Sequence, residues 1–74
     1  MKQVDARGMR CPWPALRLAR AMREADAVAI LADDPRAAGE LAALARNNGW
    51  TLIQNGEEFC ASVPGFNPSF TSEA

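Results

Sequence analysis

The sequence contains no histidine, only two cysteines and no basic excess. It also has no apolar run near the ~20 residues that a membrane-spanning helix needs. Each absence excludes something. Without histidine a Cys–His nucleophile pair is impossible, and zinc or iron–sulfur sites lose their usual support. Cys11 and Cys60 lie far apart and fit no Cys-x-x-Cys metal or redox spacing, so neither metal nor cofactor is expected. A formal net charge of −1 argues against direct nucleic-acid binding. The N-terminus lacks the apolar core of a signal peptide, which makes the cytoplasm the default expectation.

What is present is ordinary for a globular chain. Hydrophobic residues make up 49% of 74, enough for one domain near the small end of what folds without metals or disulfides. The chemistry concentrates in Arg7-Gly8-Met9-Arg10-Cys11-Pro12-Trp13-Pro14. From Ala15, apolar residues recur at Ala15, Leu18, Ala19 and Met22, the spacing of one helix face. Pro12 and Pro14 suit a first helical turn, where their missing N–H groups would have no partner. This places Cys11 at or beside the N-cap. A helix N-terminus favours an anion, so the Cys11 pKa is expected to be lowered, and the thiolate is the reactive form. The prolines remove two donors, leaving the N–H of Cys11 and that of Trp13, the latter able to point back at the sulfur. Arg7 and Arg10 add positive charge. Against this stands the ordinary fate of a single cysteine, a small buried hydrophobe.

In chain order, Lys2 to Asp5 reads as a strand with Val4 inward. A loop follows, in which Gly8 supplies freedom for a tight passage, and then a helix from Pro12 to Arg23 with Arg17, Arg20 and Arg23 outward. Ala27 to Leu31 is wholly apolar and reads as a buried strand parallel to the first. Asp34 and Pro35 are a good cap and first residue for a second helix. Ala38, Leu41, Ala42 and Ala45 form its face, and Gly49 its end. Asn55-Gly56 signals a two-residue hairpin turn, pairing Leu52 with Phe59 and Trp50 with Ala61. That register sets Trp50, Leu52, Phe59, Ala61 and Val63 on one face and Cys60 on the other. Residues 1–63 form the domain, and 64–74 read as a flexible tail. The order β-α-β-α-β-β makes a two-layer α/β sandwich.

Asp5-x-Arg7-Gly8-x-x-Cys11-Pro12-x-Pro14, with Asp33-Asp34-Pro35 after the second strand, resembles the signature of the TusA/SirA family of small sulfur carriers. The resemblance runs from about Val4 to Val63. It implies a four-stranded mixed sheet with both helices on one face. It also implies a sulfurtransferase role, in which Cys11 accepts sulfane sulfur as a persulfide and hands it on. A cysteine desulfurase or rhodanese-type enzyme would be the donor and a second protein the acceptor.

Other residues carry weaker claims. Asp34 reads as a cap, while Asp33, at the strand end beside the Cys11 loop, has a better claim to the site. Asp5 and Arg7 can pair and fix the loop. Arg7 and Arg10 can instead steer an acidic partner. Trp13 is either core filling or a partner contact. Two other functions stay open. One is a non-catalytic interaction module using the Arg7–Pro14 loop as docking surface, and the other a redox thiol forming a Cys11–Cys60 disulfide. The docking reading calls for a Cys11 pKa at or above the free-thiol value of about 8.5.

Overall fold

Only Val4 is buried in the first strand, β1 (Lys2–Asp5), because alternate side chains of a strand face opposite ways and one face alone meets the core. The computed structural model describes residues 2–66. After β1 come α1 (Trp13–Met22), β2 (Ala27–Leu31), α2 (Ala37–Asn48), β3 (Thr51–Asn55) and β4 (Glu58–Ser62). This is the expected element order. The sheet runs β1-β2-β4-β3. β1 and β2 are parallel, with Val4 opposite Ile30, while β4 is antiparallel to both β2 and β3. The result is a four-stranded mixed sheet in an α+β fold.

The core lies between the helices and one face of the sheet. Leu18 and Leu41 meet Val28, Ile30, Phe59 and Ala61 there, with Ala21, Met22 and Ala37 filling the gaps. The buried face of α1 is Pro14, Leu18, Ala21 and Met22. The expected stripe is therefore rotated slightly, leaving Ala15 and Ala19 half-buried. In α2 the buried line is Ala37, Leu41 and Ala45. Small residues at these positions let two short helices approach the sheet and each other.

Both helices begin later than expected. Pro12 is the N-cap of α1 rather than its first residue, and the Cys11–Pro12 peptide is cis. Asp34 is not the N-cap of α2, a place taken by Arg36. The carboxylate of Asp34 still accepts the Arg36 N–H at 2.8 Å, and the Asp34 carbonyl accepts the N–H of Ala37 at 2.9 Å. The aspartate thus closes a turn leading into the helix, a local bond short polar side chains favour. Gly49 ends α2 with a left-handed φ of 74°, and the Trp50 N–H reaches back to the Ala45 carbonyl at 2.8 Å, as a glycine-terminated helix requires.

The hairpin differs in register. Leu52 lies opposite Ala61 and Gln54 opposite Phe59, so the turn is Gly56-Glu57 rather than Asn55-Gly56. Gly56 has a φ of 64°, and among the described residues no non-glycine has a positive φ. A turn with positive φ at its first central residue alone is the type II′ pattern, which wants glycine there. The shift is two residues, so every side chain keeps its expected face. Phe59 and Ala61 are buried, and Cys60 sits between Ala29 and Ile53 on the uncovered face. The expected tail begins with a turn in which the Phe66 N–H donates to the Val63 carbonyl. From residue 67 it lies outside the described residues.

Candidate functional site

In a β-α-β unit with parallel strands, the loops leaving both strands emerge at the same sheet edge. Here the loop from β1 to α1 carries Cys11, and the junction from β2 to α2 carries Asp33 and Asp34. The two are tied by side chain to backbone. Asp33 Oδ1 accepts the Gly8 N–H at 2.9 Å, and Asp34 Oδ2 accepts the Cys11 N–H at 3.0 Å. Gly8, with φ at 84°, takes a left-handed conformation in which a side chain is disfavoured. Met9 then closes the turn by donating to the Ala6 carbonyl at 3.1 Å.

Asp5 and Arg7 brace the near side of this loop. Arg7 Nε and Nη2 donate to the two Asp5 oxygens at 3.0 and 2.9 Å, and the Arg7 N–H adds a third bond at 3.1 Å. This forked pairing lowers the Asp5 pKa to about 2. It occupies the guanidinium with its own neighbour. Arg10 is exposed and, with Gly8, Asp33, Asp34 and Arg36, lines an open recess beside the loop.

Cys11 is a half-buried free thiol one residue before the α1 N-cap. The expected electrostatics do not hold. The Trp13 N–H does not turn to the sulfur but donates to the Arg10 carbonyl at 2.8 Å, and the Cys11 N–H is taken by Asp34. The thiol pKa is raised, not lowered. The nearby Glu40 carboxylate, which favours the protonated thiol, is the largest cause. Partial burial and the Glu40 charge follow; Arg36 opposes and Asp34 adds a little. Glu40 and Asp34, acids at and after the end of β2, push this sulfur toward its protonated form.

The remaining residues sort by exposure. Pro14 is buried beneath the loop and Pro12 is exposed. Trp13 does not fill the core. It is 58% exposed, and Leu16, three residues on, is 51% exposed. Between Ala6 and Arg23 the chain holds five arginines and no acid, so the apolar pair lies beside a cationic stretch. Cys60 is a free thiol on the uncovered sheet face, its pKa raised by burial and then by Glu58. Among the described residues no group of acids and cysteines could hold a metal ion, and no helix is long and apolar enough to cross a membrane.

Two residues of this site were not singled out from the sequence in these roles. Asp34, which reads from the sequence as a cap, holds the Cys11 amide. Glu40 carried no expectation, although the topology offered a signal: an acid in the first turn of α2 lies at the same sheet edge as the cysteine loop.

A small α+β domain thus presents one part-exposed cysteine just ahead of a helix, on a loop tied down by acids. The chain belongs to the family described as sulfurtransferase TusA, whose model matches residues 2–63. A protein of Archaeoglobus fulgidus provisionally named a sulfur carrier is 40% identical over 57 residues, covering 73% of this chain and 74% of that one. Similarly named proteins of Neisseria meningitidis and Bacillus subtilis are 34% and 35% identical, covering 74% and 77% of this chain and 78% and 80% of theirs.

Proposed function

We propose that Cys11 carries sulfane sulfur as a persulfide from a donor protein to an acceptor protein. The observation that carries this reading is a part-exposed thiol placed just before a helix whose first turn exposes Trp13 and Leu16. A sulfur so placed is open to another macromolecule, and the exposed Trp13 and Leu16 offer that molecule an apolar anchor.

In the transfer step the Cys11 sulfur attacks the terminal sulfur of a donor persulfide. A new S–S bond forms at Cys11, and the donor's own S–S bond breaks. The donor cysteine leaves as a thiolate and takes up the proton that Cys11 gives up. No external oxidant or reductant is consumed. Because the free chain favours the protonated thiol, the docked donor must draw that proton away. Cysteine desulfurases and rhodanese-type enzymes are the fitting donor class, since both hold sulfur as a cysteine persulfide. Arg10 and Trp13 serve as partner contacts, Arg7, Gly8 and Asp33 shape the loop, and Pro12 and Pro14 set the start of α1. Two free thiols suit a reducing compartment, and the reading places the protein in the cytoplasm.

Mass spectrometry after incubation with a cysteine desulfurase and cysteine tests the proposal. The intact protein and Cys60→Ser should each gain one sulfur, and Cys11→Ser none. Uptake by Cys11→Ser would overturn the assignment. A second reading draws support from the raised Cys11 pKa: the loop is a docking surface and Cys11 only packs. On that reading the unaltered protein gains no sulfur and still binds its partner.

A further inference from the structure

We propose that Asp34 is the positioning residue for Cys11, fixing the sulfur's place from the end of β2 rather than from the helix that follows it. The inference rests on the reading of Cys11 as the sulfur-bearing residue. Its grounds are geometric. The Asp34 side chain is only 7% exposed, unlike its ion-pair partner Arg36 at 68%. Each of its oxygens has a separate backbone task. Oδ2 accepts the Cys11 N–H at 3.0 Å, and Oδ1 accepts the Arg36 N–H at 2.8 Å. The Arg36 guanidinium lies 3.6 Å from Oδ1.

A carboxylate can do this and an amide cannot. Two ionised oxygens accept two N–H groups at once, whereas the amide of an asparagine offers one acceptor and turns a donor toward the other. Asp33 holds Gly8 in the same way at 2.9 Å, so two consecutive residues of one junction grip two points of the cysteine loop. The N–H of Cys11 is thereby committed to the chain itself and is not available to an anion on its own sulfur. The ordering of the loop, not stabilisation of the thiolate, is what this contact supplies. The charged groups acting on the sulfur are Glu40, Asp34 and Arg36, and those acting on Asp34 include Arg36.

The test uses the full chain labelled with nitrogen-15, with Cys60→Ser as background for thiol chemistry. As pH is lowered, the amide protons of Cys11 and Arg36 should shift together, with one midpoint below the ordinary aspartate range. In Asp34→Asn that shared titration should vanish, and the Cys11 amide should exchange with solvent roughly threefold to tenfold faster, the loss expected for one net hydrogen bond. Sulfur loading of Asp34→Asn from a desulfurase should fall at least roughly tenfold, since misplacing a reacting atom by about 1 Å can cost a hundredfold. Asp34→Glu, which keeps both acceptors, should recover part of the loading. Independent titration of the two amides in the unaltered chain overturns the proposal, whether or not any variant folds. So does full loading of Asp34→Asn while the unaltered chain loads normally. If the unaltered chain takes up no sulfur but the shared titration is present, it is the carrier reading that fails.

Discussion

The backbone N–H of Trp13 donates to the carbonyl of Arg10 at 2.8 Å and so turns away from the sulfur of Cys11. A helix start lowers a thiol pKa most effectively through N–H donors that face the sulfur. Here one donor closes a turn, another is held by Asp34, and prolines supply none. The general rule is sound, but the N–H groups of Cys11 and Trp13, through which it was expected to act, are both engaged elsewhere.

The alkylation of Cys11 by iodoacetamide should therefore follow a pH profile whose midpoint lies above that of an ordinary thiol, near 8.5. The sign follows from Glu40, which favours the protonated form as acceptor and as like charge. Glu40→Gln should move the midpoint down. A midpoint below 8 in the unaltered protein would show that the helix end prevails after all.

Asp5 should titrate at about pH 2, read from its carboxyl carbon shift, and return toward the ordinary value of about 3.9 in Arg7→Ala. A depressed carboxylate stabilises the fold above its unfolded pKa, and that contribution is lost as pH falls through the folded one. Acid unfolding between pH 4 and 2 should thus begin earlier in Arg7→Ala. Both groups are exposed, so the difference should be small.

Leu18 and Leu41 are fully buried, and replacing either by alanine should cost about 2–5 kcal/mol in urea unfolding. Ile53 is 64% exposed on the uncovered sheet face, and Ile53→Ala should change stability by less than about 1 kcal/mol. Equal costs would mean that this face is covered in solution.

Trp13→Ala should leave the unfolding midpoint nearly unchanged, because the side chain is 58% exposed. It should instead raise the KM for loading by a desulfurase. A large stability loss would return Trp13 to the core.

The turn assignment is open to a simple comparison. Gly56→Ala should destabilise by about 1–2 kcal/mol, the cost of forcing a left-handed conformation on a residue with a side chain. Asn55→Ala should cost much less, since Asn55 lies in β3 with negative φ.

Much of this was legible in the residues. The parallel pairing followed from two apolar strands separated by a helix pattern, and Asp5–Arg7 from adjacency alone. The hairpin faces were readable because a strand alternates with period 2; its register was not, because Asn-Gly and Gly-Glu both make acceptable two-residue turns and only tertiary pairing with β2 chooses. The buried stripe of α1 lies a fraction of a turn from the one its periodicity suggests, since alanine at Ala15, Ala19 and Ala21 gives periodicity little to discriminate. What was least legible was the electrostatics of Cys11, which depends on Asp34 and Glu40, residues more than twenty positions away. Local pattern reads helix ends well and says little about which distant acid will lean on them.

Arg10, Arg17, Arg20 and Arg23 lie in a segment without a single acid, yet the whole chain sums to −1. Positive charge is thus concentrated in one stretch of the chain, and average charge misdescribes how such a molecule meets a surface. At neutral pH and low ionic strength it should cling to a cation-exchange resin despite its acidic isoelectric point, approaching by the arginines of α1.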